Sequence, residues 1–260
     1  MKDFTHEFYE KYLDAIKRKF INIIRFDEYF LFNPYPSSFC IIRHDVDRKT
    51  RNALEMAKIE KEMGIKATYY FRNRRNTFMP DIIEKIAFLG HEIGYHYENL
   101  SDTKGNKELA LEDFEKNIAM FRRLHPVKTI SSHGRPLGAY NNLYLWGPLD
   151  ERELLFKKFG ILGDAILDID YSNVVYISDT GRNWSSTKSN VRDKVDSLIK
   201  IDFRNGYNLY SYLDHHPNPK MVFQIHPERW SSNNLDYSMQ FCKDFCINLV
   251  KTIISISYGR

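Results

Sequence analysis

Strand and helix patterns alternate four times before residue 135. Residues 39–43 form a short apolar run of the kind a buried strand shows. "TRNALEMAKIEKEMG" follows with helical spacing through Leu54, Ala57, Ile59 and Met63, and Gly64 marks its stop. "IKATYYF" is rich in strand formers, and Pro80 opens the helix "PDIIEKIAFLG". The strand "HEIGYH", the amphipathic helix "KELALEDFEKNIAMFRRL" and the strand "VKTISSH" complete the series. Residues 5–20 add a helix before it. Such a series predicts a parallel sheet with right-handed crossovers. Beyond residue 140 the signal weakens, with strands expected in "ILGDAIL", "VVYISD" and "MVFQIH" and a closing helix over 234–256. No repeat or linker divides the chain, so residues 1–260 are expected to form a single domain.

Composition narrows the class. Hydrophobic residues at 43% and charged residues at 28% are those of a soluble globular protein. The net charge is +4, with basic residues scattered among acids, so a nucleic-acid partner is not expected. No apolar run approaches the ~18–20 residues of a membrane span. The charged N-terminus lacks the apolar stretch of a secretory signal, and the three cysteines are an odd count. Together these point to a cytoplasmic protein. Cys242 and Cys246 lie one helical turn apart and are expected to pack as buried thiols rather than to bind zinc.

The polar residues fall in a pattern. The expected strands run into His44, Asp45 and Asp47, then His96, then His133 and Arg135, then Asp179, then His226. Parallel strands of a barrel deliver their C-terminal ends to one face, where active sites are built. Alternation along an extended chain points Asp45 and Asp47 to the same side and His44 to the other. His91 stands at the opposite end of its strand and is expected to be structural.

In this order, "RHDVD", "IKATYYF", "GHEIGYHYENL", "HGRPLGAYN" and "FQIHPE" resemble the polysaccharide deacetylase family, the metal-dependent carbohydrate esterases. The resemblance covers residues 39 to about 230. It implies an α/β fold, a distorted and incomplete (β/α) barrel of parallel strands, and hydrolytic removal of an acyl group from an amino sugar. It makes Asp45 the general base, Asp47 and His96 ligands of a divalent metal (zinc is expected), and His226 the general acid. It gives Arg135 the task of orienting Asp45. Asp179 is a candidate to hold Arg135, and Trp184 to line a sugar pocket.

The chain departs from the family where a second histidine is usual, four residues after His96. Leu100 stands there, and its side chain has no lone pair. His133, Glu98 and His44 are the candidates for a third ligand, with His133 favoured because it ends a neighbouring strand and imidazole suits zinc. Localisation with the resemblance points to a nucleotide- or lipid-linked saccharide substrate, used in making a surface polysaccharide such as lipopolysaccharide or capsule. Two other readings are a hydrolase of a non-sugar C–N bond and a non-catalytic saccharide-binding homologue that has lost the metal.

Overall fold

A computed structural model describes residues 2–32, 34–135, 138–182, 184, 195–215 and 219–258. Its centre is one sheet of eight strands: β1 (Ile23–Ile24), β2 (Phe39–Val46), β3 (Thr68–Phe71), β4 (Glu92–Tyr97), β5 (Thr129–Ser132), β6 (Gly163–Asp164), β7 (Val175–Ser178) and β8 (Lys220–Ile225). Seven follow the order β6-β5-β4-β3-β2-β8-β7, and β1 pairs with β2. All the pairings are parallel. The end strands β6 and β7 do not pair with each other among the described residues, so the ring stays open. The result is a distorted, incomplete (β/α) barrel.

Strand β2 is the axis of this arrangement. Phe39 to His44 pair with β8 on one side. On the other side Cys40 and Ile41 pair with β1, and Arg43 to Val46 pair with β3. All eight residues of β2 are buried, because both faces are covered. Ile42 and Val46 face the helices, in a core with Tyr69, Phe223 and Ile225. Phe39 and Ile41 face inward, in a second core with Tyr70, Tyr176 and Val222. Gly94 permits a close approach inside the barrel, since a Cβ there would lie 2.3 Å from the Tyr70 ring.

The helices are α1 (His6–Lys19), α2 (Phe26–Tyr29), α3 (Thr50–Glu62), α4 (Pro80–Phe88), α5 (Asn99–Asp102), α6 (Lys107–Arg122), α7 (Leu149–Phe159), α8 (Gly206–His215) and α9 (Asn234–Tyr258). Their starts follow capping chemistry. Thr5 accepts a hydrogen bond from Phe8 N at the head of α1, and Asn106 from Leu109 N at the head of α6. Lys17, Arg18 and Lys19 close α1 against its negative dipole end.

Up to β5 the expected strands and helices are all present, and β1, α2 and α5 are short elements that the sequence reading did not anticipate. "ILGDAIL" keeps only two strand residues, Gly163 and Asp164. Cys242 and Cys246 are exposed and free, which corrects the expectation that they pack inside. No helix among the described residues is long and apolar enough to cross a membrane.

Candidate metal centre and active site

The polar residues singled out above gather at the C-terminal ends of the strands. Asp47 directly follows β2, His96 lies within β4, and His133 directly follows β5. Strands β4 and β5 are neighbours, with His96 in register with Ser131. The chain then continues so that His133 N donates to Tyr97 O at 2.9 Å. This pairing carries the His133 ring to His96. His133 Nδ1 lies 3.3 Å from His96 Nε2 and 3.1 Å from Asp47 Oδ1. His96 Nε2 lies 3.4 Å from Asp47 Oδ1. One ligand atom from each of the three side chains falls within 4.8 Å of the others.

These residues fit a divalent cation. Asp47 Oδ1 is buried and makes no hydrogen bond, although two imidazole nitrogens face it. His96 Nδ1 is 3.0 Å from Ser131 O, so it donates there and leaves the Nε2 lone pair directed at Asp47. Two imidazoles and one carboxylate form a donor set suited to zinc. Burial opposes ionisation of Asp47, yet His133 and His96 beside it hold its carboxyl well below the usual range. Leu100, at the position where the family resemblance has a ligand, is packed into the core from α5.

The other two candidates for a third ligand do not join the cluster, although Glu98 Oε2 is buried without a hydrogen bond. Glu98 Oε1 takes Arg72 at 2.6 Å and Arg74 at 2.7 Å. His44 points to the helix side of the sheet, where its Nε2 meets Glu60 Oε1 at 2.6 Å.

Asp45 lies inside β2 and faces inward, toward His96, with 3.9 Å between its Oδ2 and the ring Nε2. Asp45 and Asp47 therefore share a side, as alternation requires. Burial raises the Asp45 carboxyl, but the Arg43 guanidinium and then His96 and His226 outweigh it and keep its pKa below the ordinary value. Arg43 Nη2 donates to Asp45 Oδ2 at 2.9 Å, and Gln224 Nε2 donates to the same oxygen at 2.6 Å.

Arg135 does not occupy the place expected of it. Its Nη1 donates to Asp102 at 2.9 Å and its side chain is 42% exposed. Arg43 is the guanidinium on Asp45 instead. Period-two alternation carried this signal, since residues 43, 45 and 47 alternate on one face.

Asp179, at the end of β7, does not hold Arg135 either. Its carboxylate accepts from His226 Nδ1 at 2.6 Å, from His226 N at 2.9 Å and from Trp230 Nε1 at 2.8 Å. Burial disfavours the charged imidazole, but the Asp179 carboxylate more than offsets it and pushes His226 up to about 9. His226 is thus held toward its protonated form, in a buried position from which its charge lowers the Asp45 carboxyl. Trp184 is a core residue rather than a sugar platform: it is 2% exposed and stacks on Phe4 with 5.0 Å between ring centroids. Glu228 is a further buried carboxylate at this end. Burial and the charge of Asp47 push it up, and Arg48 reaches it at 3.3 Å.

Comparison with family models and with curated proteins gives no match. Among solved structures, the chain is similar to a CE4 family pseudoenzyme from Bacillus anthracis, with TM-score 0.45 and 13% identity over 80% of this chain and 60% of that one. It is also similar to a family 4 carbohydrate esterase from Streptomyces lividans, with TM-score 0.41, 14% identity and coverage of 80% and 88%. A peptidoglycan N-acetylglucosamine deacetylase gives TM-score 0.40, 17% identity and 82% of each chain. The chain thus spans about 60% of the length of the first of these structures. Likenesses at this level carry no assignment of function.

Proposed function

We propose that the chain is a divergent polysaccharide deacetylase, a metal-dependent hydrolase that removes an N-acyl group from an amino sugar. The observation that carries this reading is the convergence of Asp47, His96 and His133 on one point, with Asp45 beside it and a protonated His226 held by Asp179. A cation in that site, zinc by its donor set, supplies Lewis-acid chemistry toward a carbonyl oxygen and a water.

The protein's own residues divide the remaining work. Asp47, His96 and His133 are the ligands. Asp45 is not among them, and its free Oδ1 takes a proton from the attacking water. The water oxygen bonds to the acyl carbon. His226 gives its proton to the sugar nitrogen as the C–N bond breaks, because an amine leaves poorly unless protonated. The products are a carboxylic acid and the free amine. His133 supports the catalytic reading over a binding protein without metal, since it fills the place that Leu100 leaves open.

The finer reading is a nucleotide- or lipid-linked saccharide handled in the cytoplasm during surface polysaccharide synthesis. The test is acetate release by the zinc-loaded protein from UDP-N-acetylglucosamine and from N-acetylated chito-oligosaccharides. Asp45→Asn is expected to keep its zinc and lose turnover on the order of 100-fold or more. Equal rates in the variant and the wild type would show that another group takes the proton.

A further inference from the structure

We propose that Arg43, braced through Gln224, is the positioning residue of Asp45; this rests on the deacetylase reading above and deepens it. The geometry carries the assignment. Arg43 and Asp45 are two residues apart on β2 and both are 1% exposed. Arg43 is in register with Gln224 of the adjacent strand β8. Both side chains donate to one oxygen of Asp45, Oδ2, at 2.9 and 2.6 Å. The other oxygen, Oδ1, is buried and accepts no hydrogen bond from the protein. One oxygen is thus fastened and the other is left for the reacting water.

The clamp is itself held. Tyr176 OH on β7 donates to Gln224 Oε1 at 2.6 Å. An amide whose oxygen is taken in this way must present its NH₂ to Asp45. Arg43 Nη1 donates to Ala165 O at 3.2 Å, which fixes the plane of the guanidinium. Three adjacent strands, β7, β8 and β2, therefore set the orientation of one carboxylate. Arg135 pairs with Asp102 and not with Asp45, so Arg43 is the guanidinium that holds this carboxylate.

The experiment pairs kinetics with structures of the zinc-loaded protein. In Arg43→Met the Asp45 carboxylate is expected to rotate away from the orientation seen here, with zinc affinity unchanged. The kcat on the acetylated probes named above should fall on the order of 100-fold, with KM nearly constant, because only the base is disturbed. In an Asp45→Asn background the same substitution should cost nothing further, since Arg43 acts only through Asp45. Tyr176→Phe, which keeps the ring and frees the Gln224 amide, should lower kcat roughly tenfold by loosening an outer hydrogen bond. An unmoved Asp45 in Arg43→Met, or a KM rise at constant kcat, overturns the proposal. Failure of the wild type to release acetate from either probe counts against the deacetylase reading for those probes. The orientation of Asp45 in the variant structure still decides the positioning claim.

Discussion

Two clusters of one carboxylate and two histidines lie on opposite sides of the same sheet. On the helix side, Glu60 lies among His44, His91, Tyr9 and Tyr69. At the mouth, Asp47 lies among His96 and His133. The residue types are nearly the same, but the satisfaction of their polar atoms is not. Glu60 accepts from Tyr69 at 2.7 Å, from Tyr9 at 2.5 Å and from His44 at 2.6 Å. His91 donates through Nε2 to Ala57 O at 3.0 Å and accepts Ala67 N on Nδ1 at 3.1 Å. That leaves no imidazole lone pair of His91 for an ion. Asp47 Oδ1 makes no hydrogen bond, although His133 Nδ1 and His96 Nε2 lie 3.1 and 3.4 Å from it and 3.3 Å from each other. The first cluster is completely buried, whereas the Asp47 and His133 side chains are 17% and 13% exposed. On the helix side the carboxylate is fully bonded and the unbonded atom of the cluster, His44 Nδ1, is sealed from solvent, whereas at the mouth the carboxylate oxygen itself is left unbonded beside solvent, as a ligand site requires.

The largest expected effect is on metal binding. Asp47→Ala and His96→Ala should each weaken zinc by more than the ~10–100-fold typical of losing an outer hydrogen bond, whereas His44→Ala and His91→Ala leave calorimetric stoichiometry unchanged. Zinc loss in the second pair would erase the distinction between the clusters. Next comes stability. Glu60→Ala removes the shared acceptor of three buried donors and should cost about 3–5 kcal/mol, as breaking a buried pair does. Thermal unfolding should report it with zinc stoichiometry intact; an unchanged midpoint would mean that the helix-side cluster holds nothing together.

A smaller effect concerns pH. The folded pKa of His226, about 9, lies above its ordinary 6.5. Its proton therefore stabilises the fold fully below 6.5, and that contribution is lost as pH rises through about 9. Activity should fall over the same alkaline range as the general acid loses its proton. Asp179→Asn removes the charge that raises this pKa and leaves the burial that lowers it, so the alkaline limb should move to lower pH. A limb that stays in place would take His226 out of the acid role. The smallest effect is expected at Arg135. Its partly exposed pair with Asp102 is worth about 0–1 kcal/mol, so Arg135→Ala should change turnover by no more than a few-fold. A loss as large as that of Asp45→Asn would restore the role the family resemblance gives it.

The first half of the barrel was legible because strand-forming segments alternate with amphipathic helices, although polar residues interrupt β4 and β5. Strands β2 to β5 and helices α3, α4 and α6 all follow from that pattern. Helices α7 and α8 did not announce themselves. Of "LDERELLFKKF" only Phe156 and Phe159 are buried, too few to mark a face. Strand β6 is reduced to two residues because Asp164 turns back on itself, its carboxylate accepting from Ile166 N at 2.7 Å. In the site, alternation put Asp45, Asp47 and His44 on the sides where the structure has them. The same rule applied one step earlier would have reached Arg43. Gln224 gave less signal, since its partner lies 179 residues away and only strand order brings them together. Arg135 was misread because a motif match says nothing of direction. Its backbone is left-handed, with φ of 41°, and its side chain runs to Asp102 instead of across the mouth.

In the proposed site His133 completes the ligand set in place of the residue at position 100. The most direct test is a crystal structure of the zinc-soaked protein with the ion located by its anomalous signal. One ion is expected, bound by Asp47, His96 and His133, with nitrogens at about 2.0–2.1 Å and Asp45 outside the shell. A fully occupied ion with both His133 nitrogens beyond coordination distance, or an ion seated instead at Glu60, would contradict it.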